Sequence, residues 1–136
     1  MSKDKIKNLL ESYKFDNQLL NEKQNELNII NSQHLKKLEI LKPISNENNQ
    51  LYNEAVEKYK RESSYIEKEI EKILNKKRDI EKLIEKVQQP YKNVLYFKYV
   101  QCLSVEEIAM KMNYSPQRIY QLHDIGMKII NEKDAV

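Results

Sequence analysis

The chain has 136 residues, of which 33% are charged, 40% hydrophobic and 8% aromatic, with a formal net charge of +3. Glycine occurs once and proline three times. Phosphate-cradling loops and β-sandwich turns need several glycines, so Rossmann, P-loop and sandwich architectures are excluded, and the abundance of Leu, Ile, Asn, Gln, Lys and Glu predicts long helices. One cysteine, Cys102, and two distant histidines, His34 and His123, leave no disulfide framework and no zinc-ligand spacing. No clustered His, Cys, Ser and acidic constellation is visible, so no enzyme activity and no cofactor are expected. The first residues lack the apolar core of a signal peptide, and no run of about 18 apolar residues occurs, which predicts a cytoplasmic chain with no membrane partner.

Pro43 and Pro90 divide the sequence, because proline interrupts a helix and biases the preceding residue out of the α region. Residues 3–41 are predicted as a first helix and 46–88 as a second, with Asn46 in the short linker 42–48 as an N-cap. In the second stretch Tyr52, Tyr59, Ile66, Ile73, Ile80 and Val87 alternate with Val56, Ser63, Ile70, Lys77 and Ile84 at heptad spacing, and nine of these eleven are apolar. The first stretch carries the frame more weakly: Ile6, Tyr13, Leu20, Leu27, His34 and Leu41 alternate with Leu10, Asn17, Gln24, Asn31 and Leu38. Residues 1–89 hold 18 basic and 16 acidic side chains, a solvated mixture with no dominant sign. They are expected to form a coiled-coil helical hairpin, closed within one chain or exchanged in a dimeric bundle. His34 lies on the seam with no second ligand nearby, and is read as a packing residue.

From Pro90 the character changes. Pro90 to Val100 predicts a short helix whose Tyr96 and Tyr99 pack inward. Ser104 and Glu107 have the spacing of a capping box opening a second helix through Met112, with Ile108, Ala109 and Met112 as its buried face. Ser115 and Pro116 open a third helix, 116–130, as N-cap and first helical residue. Its buried face is Ile119, Leu122, Gly126, Ile129 and Ile130, which leaves Gln117, Arg118, Tyr120 and Gln121 exposed at its front. A short helix, a brief turn and a second helix with a polar front is the pattern of the helix-turn-helix.

Such a helix enters the major groove, where base edges present distinguishable donors and acceptors. Gln117, Arg118, Tyr120 and Gln121 are the predicted base contacts, glutamine suiting adenine and arginine suiting guanine. Lys92, Lys98, Lys111, Ser115 and Lys128 are predicted phosphate contacts, which position without specifying.

The run from Leu95 to Ala109, continued through Ser115 to Leu122, resembles the fourth conserved region of bacterial sigma factors. It resembles more closely the phage late-gene regulators of the RinA and ArpU type, which commonly show an aromatic-rich first helix, Leu-Ser before the second, and Met-Asn-Tyr-Ser before the recognition helix. Met112-Asn113-Tyr114-Ser115 matches the last of these. Primary sigma factors typically carry Arg, Glu, Arg and Gln where this chain has Pro116, Gln117, Tyr120 and Gln121, and a frequent glycine is replaced here by Cys102.

The expectation is an all-α protein, 1–89 a coiled-coil hairpin and 90–136 a sigma region 4-like helix-turn-helix. The resemblance implies a sequence-specific regulator of double-stranded DNA that activates phage or prophage late genes. The coiled coil would serve homodimerisation or contact with RNA polymerase. The alternative is a sigma-like adaptor or decoy that engages polymerase or another regulator without reading DNA.

Overall fold

Neither proline nor glycine occurs before Pro43, and this stretch forms one 39-residue helix, α1 (Lys3–Leu41). A second uninterrupted helix of 36 residues, α2 (Gln50–Glu85), follows. The computed structural model describes residues 3–42 and 49–134. Asn46, expected as an N-cap, lies outside them. Within them the start of α2 is closed by Asn49, whose Oδ1 accepts the Tyr52 N–H at 3.0 Å. α2 ends at Glu85 rather than 88, because Val87 N–H turns back to the Ile84 carbonyl at 3.0 Å on the approach to Pro90.

α3 (Tyr91–Leu95) runs on as a π-helical turn over Tyr96–Val100, followed by α4 (Val105–Met112) and α5 (Pro116–Asp134). The described residues contain no strand, so the fold is all-α. No helix among them is long and apolar enough to cross a membrane.

The chain packs as two compact units. In Gln18–Leu74 the two long helices form an antiparallel pair, joined where Asn49 Nδ2 donates to the Leu41 carbonyl and, further along, where Tyr59 donates to Asn31 Oδ1 at 2.9 Å. Leu20, Ile66 and Ile73 are buried along the expected seam, as is the polar Ser63, whose hydroxyl turns back to the Tyr59 carbonyl at 2.8 Å. Ala55 is buried too, one residue off the expected series. Gln24 is exposed, which matches the weaker seam of α1. His34 is a packing residue: it stacks on Tyr59 with ring centres 5.2 Å apart and meets Glu62 Oε2 at 2.7 Å.

The other unit takes α1 up to Asn17 and everything from Asn75 onward. Tyr13 bonds Glu81 and Asp16 meets Lys76 at 3.2 Å, again with antiparallel pairing. Ile6, Leu10, Tyr13, Ile80, Ile84 and Val87 join Leu95, Tyr99 and Ile130 in one core. Val94, Ile108, Ala109, Ile119 and Leu122 form a second, beneath α4 and α5. Each such aliphatic side chain is worth about 1.5–3 kcal/mol when fully buried. Tyr99 is buried as expected, whereas Tyr96 is exposed, standing edge-on to Phe97 at the rim of the π turn.

Candidate nucleic-acid interface

The C-terminal helices are set by caps that the sequence spells out. Ser104 Oγ accepts the Glu107 N–H and Glu107 Oε1 accepts the Ser104 N–H, both at 3.1 Å, which fixes the start of α4. α4 stops at Asn113, whose left-handed backbone (φ 60°) lets Tyr114 N–H return to the Ala109 carbonyl at 3.0 Å. Ser115 then caps α5: its Oγ accepts the Arg118 N–H at 3.1 Å. An equally sharp reversal precedes α4 at Cys102, also left-handed with φ 57°. Glycine adopts that conformation without steric cost, and cysteine here takes it with one.

α5 packs on α3 and α4 through Ile119, Leu122 and Ile130, all fully buried, with Gly126 buried between them. Gln117, Arg118, Tyr120 and Gln121 are all exposed in the first two turns. Lys128 is exposed about two turns beyond Gln121 on the same outward side, with Ile125 between them. Arg118 Nη1 donates to Gln121 Oε1 at 3.3 Å. Lys111 is exposed near the end of α4, its ammonium 4.8 Å above the Phe97 ring. The structure therefore gathers Ser115, Gln117, Arg118, Tyr120, Gln121 and Lys128 on α5 and its cap.

Lys92 and Lys98 are engaged elsewhere. Lys92 pairs with Glu85 at 3.7 Å, and Lys98 lies 5.6 Å from the Tyr99 ring centre. Near Lys98, the Tyr99 hydroxyl lies 2.6 Å from His123 Nε2. Burial, reinforced by the charges of Glu11 and Asp124, pushes the Tyr99 phenol up to about 12. Burial first, and then the Lys98 charge, hold His123 below its ordinary value against the opposing pull of Asp124. This pair anchors α5 to the π turn and was not predicted from sequence, since its partners lie 24 residues apart.

Two apolar side chains beside the turn also escaped the sequence reading. Met110 is 82% exposed and Tyr114 43% exposed. Met110 falls off the 108, 109 and 112 face, and that spacing was the available signal. Among the described residues no group of three or more His, Cys, Asp and Glu side chains converges as a metal site would require.

No curated protein and no solved structure matches the chain. The family described as "Protein of unknown function (DUF1492)" matches residues 45–131, which take in α2, α3, α4 and the exposed front of α5. With more than half of its length so matched, the chain belongs to the DUF1492 family.

Proposed function

We propose that the chain is a sequence-specific, double-stranded DNA-binding transcription regulator, a phage or prophage activator of late genes, that reads the major groove with the front of α5. One observation carries this: Gln117, Arg118, Tyr120 and Gln121 are exposed in the turns directly after the Ser115 cap, while Ile119 and Leu122 of the same turns are buried. A helix anchored from behind by apolar side chains, and presenting amide and guanidinium groups at its N-terminal end, fits the demands of groove readout. The eight residues of α4 and the three-residue turn before α5 have helix-turn-helix proportions, in keeping with the resemblance to sigma region 4 and to the RinA and ArpU regulators.

Lys111 and Lys128, with the N-terminus of α5, are the phosphate contacts best placed by exposure. Lys92 would first release Glu85. Residues 90–136 carry six basic and five acidic side chains, a weak electrostatic attraction for a polyanion, so two copies joined through residues 1–89 are needed for tight binding.

The adaptor alternative, engaging RNA polymerase or another regulator, draws support from a different observation. Ile29, Leu35, Ile40, Leu51 and Tyr65 are exposed on the long helices.

A salt-dependent gel shift of the full chain on DNA upstream of its own gene tests the proposal. Salt-sensitive binding, lost when Arg118→Ala and Gln121→Ala are combined, is expected. Equal, sequence-insensitive binding by both proteins contradicts base reading, and retention on RNA polymerase alone favours the adaptor.

A further inference from the structure

We infer that one flank of the helical pair, centred on Tyr65, receives a second copy of this chain, each copy setting its α1 against α2 of the other. The inference names a surface for the pairing through residues 1–89 proposed above, and rests on that part of the reading.

In the unit Gln18–Leu74, Glu26, Ile30, Arg61, Glu62, Tyr65 and Ile66 line an open groove of about 300 Å³ between the two helices. Ile30 and Ile66 give it an apolar floor, and Tyr65 stands 65% exposed on its lip. The same side continues along both helices at steps of three and four: Leu19, Glu22, Glu26 and Ile30 on α1, Arg61, Tyr65, Lys68 and Lys72 on α2. Exposed Ile40, about five turns after Glu22, and exposed Leu51, about four turns before Tyr65, extend it towards the Leu41 end of the pair. A face about 30 Å long and about 20 Å wide offers roughly 600 Å² per copy, which in a pair reaches the lower end of the range for stable interfaces.

The charges on this face fit another copy of it. Asn31 stands level with Tyr59 and His34 with Glu62, so Glu22 and Glu26 stand level with the stretch of α2 that carries Tyr65, Lys68 and Lys72. At that level the α1 lip is acidic and the α2 lip basic. Glu22, Lys68 and Lys72 form no ion pair among the described residues, and Glu26 meets only Lys23 of its own helix, at 3.5 Å. Lys23 and Glu69, the opposite charges on each helix, are half-buried.

A two-fold axis parallel to the helices brings each α1 lip opposite the α2 lip of the other copy, acid against base at both edges, with each Tyr65 beside Ile30 of the other groove. About a perpendicular axis α1 would meet α1, and Glu22 and Glu26 would oppose their own copies. That match of the face to itself favours a second copy over an unrelated protein.

Sedimentation of the full chain over a concentration series tests the face. Wild type is expected to reach twice the 16.4 kDa of the single chain. Tyr65→Glu should raise the dissociation constant about tenfold or more, whereas Leu35→Glu, about two and a half turns from Glu26 and so on the opposite side of α1, should leave it unchanged. Glu22→Lys with Glu26→Lys, and Lys68→Glu with Lys72→Glu, should each weaken self-association, and the two variants mixed should form a one-to-one pair. Charges acting only within a chain would not be restored by mixing, and circular dichroism confirms the helices of each variant.

A Tyr65→Glu protein that pairs as wild type does, or charge variants that mixing fails to rescue, overturns this face and leaves pairing through residues 1–89 standing. Wild type that stays a single chain at every concentration overturns both. If Tyr65→Glu then abolishes retention on RNA polymerase, the groove belongs to another protein.

Discussion

The chain's one glycine, Gly126, lies against Leu95: a β-carbon at position 126 would sit 3.1 Å from Leu95 Cδ1, 3.3 Å from its Cγ and 3.4 Å from Tyr91 Cβ. α5 therefore approaches α3 so closely that a β-carbon there would displace Leu95 by a few tenths of an ångström.

Gly126→Ala sets two effects against each other. Helix propensity favours alanine by about 1 kcal/mol, and overpacking costs about 1–3 kcal/mol. Leu95 is fully buried and has no solvent into which to swing, so overpacking prevails. A net loss of about 1 kcal/mol is expected in urea unfolding, and a larger one for Gly126→Leu. A Gly126→Ala protein more stable than wild type would contradict this close packing.

Stability should fall on the acid side of neutrality through His123. In the neutral tautomer protonated on Nδ1, the ring accepts from the Tyr99 hydroxyl and donates towards Asp124. Because burial and Lys98 depress its pKa in the folded protein, the unfolded chain binds the proton more readily, so stability rises with pH across this window. The contribution is complete above the unfolded value of about 6.5 and is lost progressively below it. Melting temperatures from about pH 7.5 to about pH 5 should drop more steeply for wild type than for His123→Gln. Glu62, held low mainly by its bond to His34, adds a loss at more acidic pH common to both proteins. Parallel slopes would show that His123 does not titrate differently on folding.

Asp16 is 3% exposed, with Oδ1 on Lys76 and Oδ2 without a partner among the described residues. Removing Lys76 leaves a buried charge uncompensated. That costs about 3–5 kcal/mol for a fully buried pair, and about 1–2 kcal/mol here, because Lys76 itself is exposed and water already shares the screening. Asp16→Leu, which removes the charge and fills the seam, should be neutral or stabilising. Denaturant midpoints decide, and an unchanged Lys76→Ala protein would refute the pairing.

Both C-terminal caps can be separated by their consequences. Ser104→Ala and Ser115→Ala should each lower stability by about 1 kcal/mol. Only Ser115→Ala frays the turn that carries Gln117 and Arg118, so it should weaken DNA binding more in fluorescence anisotropy. Equal effects on binding would dissociate the first turn of α5 from recognition.

Local patterns were legible in the sequence, and long-range pairings were not. The capping box of Ser104 and Glu107, the Ser115 cap, and the buried series Ile119, Leu122, Gly126 and Ile130 depend on spacings of three and four residues, which a sequence displays directly. Buried Asp16 broke a heptad frame that places Asn17 on the seam, and nothing in a local pattern foretells that a carboxylate will meet Lys76 sixty residues on. The left-handed backbone at Cys102 was hidden because the residue there is not glycine. At the candidate interface, exposure of the four α5 side chains followed from helical periodicity, whereas the engagement of Lys92 by Glu85 depended on a turn whose shape periodicity does not describe.

Whether α5 senses base edges is decided by methylation interference on a duplex bound by the full chain. Methylation of guanine N7 lies in the major groove and blocks one arm of the fork that Arg118 would make. Strong exclusion of complexes methylated at one or two defined guanines, relieved in Arg118→Ala, is expected. Binding that tolerates N7 methylation at every guanine, in wild type and variant alike, would mean that the front of α5 does not read the groove.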